Sequence, residues 1–267
     1  MSLYHLILLA VIQGITEFLP ISSSGHLILL PGLTGMTDQG LLIDVAVHVG
    51  TLVAVVAYFR HEVGVALGGL GDLVRGRLET PGAFLALCLV LSTLPVVIVG
   101  FLLHVTGSTG HLRSVALIGW TMLGFGLVLY WADKTGGTER SAGDWTMKHA
   151  IVMGLAQVLA LLPGTSRSGI TITAARRLGY DRDGAARLSM LMSIPTILTS
   201  GVLLMGDAVQ DADLSALGYG AIAALFACIA ALVALALMMR LLQSVSFTPY
   251  VIYRIILGAV LLVYAYS

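Results

Sequence analysis

The sequence predicts an all-α polytopic membrane protein, with six transmembrane helices plus two re-entrant helical hairpins arranged as an inverted-topology repeat. Three observations predict it. The 267 residues are 58% hydrophobic and only 10% charged, with mean hydropathy +0.97, which leaves too few charges to coat a water-exposed surface. Six apolar stretches are each long enough to cross a hydrocarbon core of about 30 Å at about 1.5 Å per residue. Two further apolar stretches are interrupted near their middles and resemble one another.

In chain order, the stretch 3–32 is broken by the polar, Gly/Pro-rich segment 13–26. It is read as a re-entrant hairpin, because non-helical backbone at membrane depth is tolerated only where it is packed in protein or lines a wet cavity. A signal peptide over residues 1–20 is disfavoured, since the first Lys or Arg is Arg60 and a positively charged leader segment is missing. Spans follow over 41–59, 83–105 and 114–132. Between the first two lies a Gly-rich amphipathic loop, whose Gly64 and Gly68 form a GxxxG spacing that says little about dimerisation. A second hairpin, 146–179, is broken at 163–173, and spans over 188–206, 215–239 and 250–266 complete the chain. The hydroxyls of Ser92, Thr93, Thr196 and Thr199, beside Pro95 and Pro195, are expected to repair proline-broken helix backbone.

The two broken segments match at a constant offset of 144 residues: His5/His149, Ile7/Ile151, Gln13/Gln157, Ser22/Ser166, Ser24/Ser168 and Gly25/Gly169. The chain is therefore read as one integral membrane domain, 1–267, made of repeat 1 (about 1–132) and inverted repeat 2 (about 145–267). One hairpin plus three spans is an odd number of crossings, which turns the second copy upside down. Short cytoplasmic loops are enriched in Lys and Arg. Arg60, Arg75, Arg77, Lys134, Arg140, Lys148, Arg176, Arg177, Arg182, Arg187 and Arg240 all fall on one side of this topology, whereas Arg113 and the acidic residues Asp207, Asp211 and Asp213 fall on the other. Both termini are thereby expected outside, in a multi-pass membrane protein.

Charge and cysteine usage exclude other classes. With 14 Lys plus Arg against 14 Asp plus Glu the formal net charge is zero, so no basic stripe serves nucleic acid. Cys88 and Cys228 lie in apolar runs and build neither a disulfide framework nor a zinc site. There is no GxxxxGK[ST] phosphate loop and no HExxH helix.

Ionisable groups at membrane depth are costly, so each one there is a functional candidate. Gln13 and Glu17, four apart, share a helix face. Ser22, Ser23, Ser24 and His26 follow a helix-stopping proline. The other hairpin offers Gly164, Thr165, Ser166, Arg167, Ser168 and Thr171. Glycines and hydroxyls that open a helix leave N–H groups free for an anion, and Arg167 adds a fork of donors suited to phosphate oxygens. The pieces describe a phosphate cradle facing a carboxylate. Taken singly, the serines also suit a helix cap, Arg167 a structural pair with Glu17, and His26 and His48 core positions.

The runs from Gln13 to His26 and from Pro163 to Thr171, together with Asp44–Thr51 and Phe247–Arg254, resemble the signature motifs of the undecaprenyl-diphosphate phosphatase family, also called the bacitracin-resistance proteins. Lipid phosphatases of the type-2 acid phosphatase class fit poorly, since they need a histidine where this chain has Thr173. The resemblance implies hydrolysis of a C55 polyprenyl diphosphate to monophosphate and phosphate, recycling the lipid carrier of cell-wall synthesis. It also implies a divalent cation, magnesium or calcium, held by Glu17 and Gln13, and an active site open to the outer face. One departure is that the first acidic position of the family's Glu-or-Gln-x-x-x-Glu pattern is Gln13 here, which can offer a metal its carbonyl oxygen but adds no negative charge.

On this reading Glu17, Ser23, His26 and Arg167 are catalytic, and Ser22, Gly164, Ser166, Ser168 and Thr171 bind substrate. Ser23 is the leading nucleophile, with a metal-activated water as its alternative. The expected partners are the polyprenyl diphosphate and the bilayer, with a homodimer left open. The competing function is an inverted-repeat transporter or flippase of an anionic lipid phosphate; a non-catalytic lipid-binding scaffold leaves the paired polar breaks unexplained.

Overall fold

The computed structural model describes residues 2–23, 25–27, 40–107, 114–209 and 214–267. Ser24, Arg113, Asp211, Asp213 and the side chain of Asp207 therefore lie outside the described residues. Among those residues there are ten long α-helices and no strand: α1 (Leu3–Phe18), α2 (Leu41–Tyr58), α3 (Arg60–Val74), α4 (Pro81–Val105), α5 (Val115–Thr135), α6 (Met147–Gln157), α7 (Arg167–Arg177), α8 (Arg182–Val209), α9 (Leu214–Leu241) and α10 (Thr248–Tyr266). Six of them, α2, α4, α5, α8, α9 and α10, are long and apolar enough to cross a membrane. The protein is a multi-pass membrane protein.

Helix boundaries follow local chemistry. Ser2, Thr80, Thr146 and Ser166 each cap a first turn by accepting from the backbone N–H three residues on, and Pro81 occupies the first turn of α4, where its missing N–H costs nothing. At 16 residues, α1 is only about 24 Å long, short of a full crossing; the chain leaves the helix at Leu19, just before Pro20. The helix thus carries both Gln13 and Glu17, and the first break is tighter than the polar segment 13–26 predicted. The second break runs through a 3-10 turn, Val158–Leu161, and resumes as α7 at Arg167.

Helix α1 packs on α9, α9 on α2, α6 on α4, and α5 on α10. Close approach sets these contacts. A Cβ on Gly50 would stand 2.1 Å from the Ala224 carbonyl oxygen, and one on Gly154 would stand 2.5 Å from that of Ser92, so α2 meets α9 and α6 meets α4 backbone to backbone. Large apolar side chains such as Val53, Ile98, Trp120, Leu225 and Ile256 face outward, as suits a protein whose solvent is lipid.

Two expectations are corrected. The Gly-rich segment around Gly64 and Gly68 is not a loop but α3, which packs on α4 where Gly69 meets Gly82. The hydroxyls near the helix prolines take other carbonyls than those the prolines free. Ser92 and Thr93 donate to the Leu89 carbonyl and Thr196 to that of Met192, whereas an i to i−4 ladder leaves Leu91 and Leu191 without their donors.

At the arginine-rich end, buried Asp133 pairs with Arg176 at 3.3 Å and with Arg182 at 2.8 Å, and accepts the Phe247 N–H. This ties α5, α7, α8 and the start of α10 together. Nearby, burial pushes the Tyr180 hydroxyl up to about 12, and it donates to the Asp144 carbonyl.

Candidate active site

The centre of the site is Glu17, on the last turn of α1, whose side chain is only 7% exposed. Its carboxylate accepts three hydrogen bonds. Arg167 Nη2 donates to Oε1 at 2.9 Å, while Gln13 Nε2 at 2.7 Å and Ser23 Oγ at 3.1 Å donate to Oε2. The Gln13 contact comes from the four-residue spacing along α1. The Ser23 and Arg167 contacts come from the two breaks, which meet: Ser168 Oγ of the second break donates to the Leu19 carbonyl of the first at 3.0 Å.

The breaks share an unusual backbone. Among the described residues the only non-glycine positive φ values are at Ser22 (72°) and Ser166 (71°), and each serine's Oγ accepts from the glycine N–H three residues on, Gly25 or Gly169. A left-handed serine costs on the order of 1–3 kcal/mol and persists only where its surroundings require it.

A cavity of about 420 Å³ opens on this cluster, lined by Glu17, Ser22, Ser23, Ser166 and Arg167 together with Asp44, His48, Gln157, Thr196 and Ser200 and apolar residues of α2, α4 and α8. Arg167 Nη1 is buried and has no partner. A guanidinium with one arm on Glu17 and one arm unused retains donors for an anionic oxygen.

Of the predicted site residues, Glu17, Ser22, Ser23, Ser166 and Arg167 line the cavity and Gln13 lies behind Glu17. Gly164, Ser168 and Thr171 are not among the lining residues; the Gly164 carbonyl accepts from Arg254, Ser168 joins the breaks, and Thr171 meets Ser189 at 2.6 Å on α8. His26 turns elsewhere too. Its Nδ1 bonds the Ser22 carbonyl at 2.7 Å, its Nε2 meets the Tyr253 hydroxyl at 2.5 Å, and the two rings stack. The imidazole facing the cavity is instead that of His48, with Nε2 3.8 Å from Glu17 Oε2. Sequence reasoning left His48 in the core, although its position four residues after Asp44 carried the signal. Gln157, 144 residues after Gln13, lines the cavity as well, and that offset is its one signal in the sequence.

The donor set suits a hard divalent cation. Gln13 Oε1 is buried without a partner, beside a carboxylate, and magnesium is commonly held by one or two such oxygens plus substrate phosphate oxygens. Among the described residues no group of three His, Cys, Asp or Glu side chains converges.

The family described as bacitracin resistance protein BacA matches residues 6–260. The chain belongs to that family. It is 67% identical to an undecaprenyl-diphosphatase of Dinoroseobacter shibae and 65% identical to one of Roseobacter denitrificans, each over 267 residues and the full length of both chains. It is 46% identical to an undecaprenyl-diphosphatase of Nitrosococcus oceani over 271 aligned residues, again covering both chains completely. The long runs around Glu17 and Arg167, which carried the resemblance, lie within the matched residues.

Proposed function

We propose that this chain is an integral membrane undecaprenyl-diphosphatase, which hydrolyses the pyrophosphate of a C55 polyprenyl diphosphate to the monophosphate and inorganic phosphate. The observation that carries the proposal is the convergence of Glu17, Ser23 and Arg167 from two separate backbone breaks on one cavity, in a chain whose relatives of this name match it end to end.

Arg167, with its unused Nη1 and supported by Ser22 and Ser166, binds the terminal phosphate, since phosphoryl transfer is catalysed chiefly by positioning and charge neutralisation. Ser23 already donates to Glu17; the carboxylate takes its proton as Oγ attacks the terminal phosphorus. The bond from that phosphorus to the bridging oxygen breaks, and the polyprenyl monophosphate leaves. Water then cleaves the phosphoserine, releasing phosphate and regenerating the serine. His48, beside Glu17, shares the proton traffic, and His26 orients the first break through the Ser22 carbonyl. A divalent cation, magnesium or calcium, would be held by Glu17 and the Gln13 carbonyl and would neutralise charge on the diphosphate.

Each broken segment is, on this proposal, a re-entrant hairpin, and the two halves form an inverted repeat over about 1–132 and 145–267. The matched φ values of Ser22 and Ser166 support it. So does packing: α1 on α9 and α6 on α4 are the same contact exchanged between halves. Cavity residues come from the start of α2 (Leu41, Asp44) and the late part of α8 (Ser200, Leu204), the ends remote from Arg60 and Arg182, so the site opens to the outer face of the cytoplasmic membrane by the distribution of basic residues.

The test is phosphate release from farnesyl diphosphate by purified protein in detergent, with and without magnesium. Ser23→Ala should lose the activity and the wild type should yield a trappable phosphoserine. An active Ser23→Ala with no trapped intermediate would give the attack to water. Protein that carries a polyprenyl phosphate across vesicles but releases no phosphate would replace hydrolysis by transport.

A further inference from the structure

Arg254, on α10, is fully buried at 0% exposure. None of the ion pairs among the described residues includes it. A guanidinium so placed is expensive unless its donors are satisfied, and here backbone carbonyls satisfy them. Nε donates to Met122 at 3.2 Å and Nη2 to Thr121 at 3.5 Å, both on α5; Nη2 also donates to Gly164 at 3.0 Å and Nη1 to Pro20 at 3.3 Å.

Pro20 and Gly164 are themselves 144 residues apart, and each stands two residues before a left-handed serine, Ser22 or Ser166. One side chain therefore holds the equivalent carbonyl of both breaks and fastens the pair to α5. The adjoining packing respects this: a Cβ on Gly169 would fall 2.8 Å from Arg254 Nη1, and Thr121 Oγ1 donates to the Pro163 carbonyl at 2.6 Å from the same side.

We infer that Arg254 is a positioning residue for the hydrolysis, a brace that fixes the break carrying Ser23 against the break carrying Arg167. It acts through backbone carbonyls and does not touch substrate. The inference rests on the function proposed above. A lysine keeps the charge but offers three donors on a compact head in place of a planar fork of five, so it leaves carbonyls of one break unheld. Displacing a reacting group by about 1 Å is enough to cost on the order of a hundredfold in rate.

The experiment measures kcat and KM for farnesyl diphosphate in wild type, Arg254→Lys, Arg254→Gln, Arg167→Lys and the Arg254→Lys, Arg167→Lys double variant, each normalised to monodisperse, folded protein. Arg254→Lys is expected to lower kcat by about tenfold or more while KM moves less than about threefold, the signature of an interaction needed in the transition state. In the double variant the combined loss should fall well short of the product of the single losses, because both substitutions spoil the same contact. Unchanged kcat in both Arg254 variants, or losses that multiply, overturn the assignment. If neither Arg254 variant folds, Arg254 serves the fold alone and the assignment is equally overturned. A wild type that releases no phosphate refutes the hydrolase reading itself, whereas an active wild type beside unaffected variants refutes only the brace.

Discussion

Replacing Glu17 by Gln exchanges one oxygen for an amide nitrogen without changing shape, and the hydrogen-bond inventory sets the outcome. Glu17 accepts from Arg167 on one oxygen and from Gln13 and Ser23 on the other. A glutamine has a single oxygen, which Arg167 will take. The new NH2 then faces the Gln13 amide and the Ser23 hydroxyl. Gln13 can answer by rotating, since its Oε1 has no partner to lose, and the serine hydroxyl can turn to accept. What remains lost is the charge in the Arg167 contact. A charge-assisted bond contributes about 1.5–3 kcal/mol and a neutral one about 0.5–1.5, a difference of about 1–1.5 kcal/mol, which for a chain this long lowers the melting temperature by roughly 2–6 °C. Activity should suffer far more, because Ser23 has no base to take its proton, an effect of about 10²–10⁴ in kcat. Phosphate release and thermal unfolding in the same detergent check both numbers. A Glu17→Gln protein with kcat within fivefold of wild type would refute the role of the carboxylate, however stable the protein proved.

Arg167→Lys should reduce kcat/KM by about 10²–10³, since a point charge cannot hold Glu17 and a phosphate oxygen together; steady-state kinetics on farnesyl diphosphate reads it. Gly50→Val, whose Cβ must clear the Ala224 carbonyl, should cost about 3 kcal/mol or more and sharply cut the folded yield. Gly64→Ala meets open space on α3, and should instead raise stability by up to about 1 kcal/mol in thermal unfolding. The Ser141 N–H and hydroxyl hold the Asp144 carboxyl below its usual range. That stabilisation is present above about pH 4 and disappears as pH falls through the lowered value, so wild type and Asp144→Asn should differ in melting temperature at neutral pH and converge under acid.

The spans were legible because hydropathy is a sum over many residues. The stretch 250–266 became Thr248–Tyr266 and 41–59 became Leu41–Tyr58. Where boundaries shifted, the cause was a tertiary contact that no window sees. Helix α8 begins at Arg182 rather than near 188; its first turns are charged, and Asp133 and Glu62 pair with Arg182 and Arg187 to hold them. The meeting of Glu17 with Arg167 could be inferred from two polar breaks in apolar surroundings. The choice between two histidines could not, because it turns on which side of the first break each ring faces. His26 is claimed by Tyr253, 227 residues away, a pairing with no local signature.

The repeat proposed above explains why one site arises from two similar halves. Scaffold residues are duplicated: Ser22 with Ser166, Gln13 with Gln157, and both glutamine Oε1 atoms are buried without a partner. The charges are not. The counterpart of Glu17 is Leu161 and the counterpart of Arg167 is Ser23, although all four line the same cavity. An acid at position 161 as well as Glu17 would set two carboxylates on one cavity, and like charges about 4 Å apart repel by about 4 kcal/mol at an effective dielectric near 20. Divergence at these two positions turns a symmetric scaffold into an acid, a hydroxyl and a guanidinium within one hydrogen-bonded cluster. The strained serines need not diverge, since each break must still present its N–H groups and side chains inward whichever charge it carries.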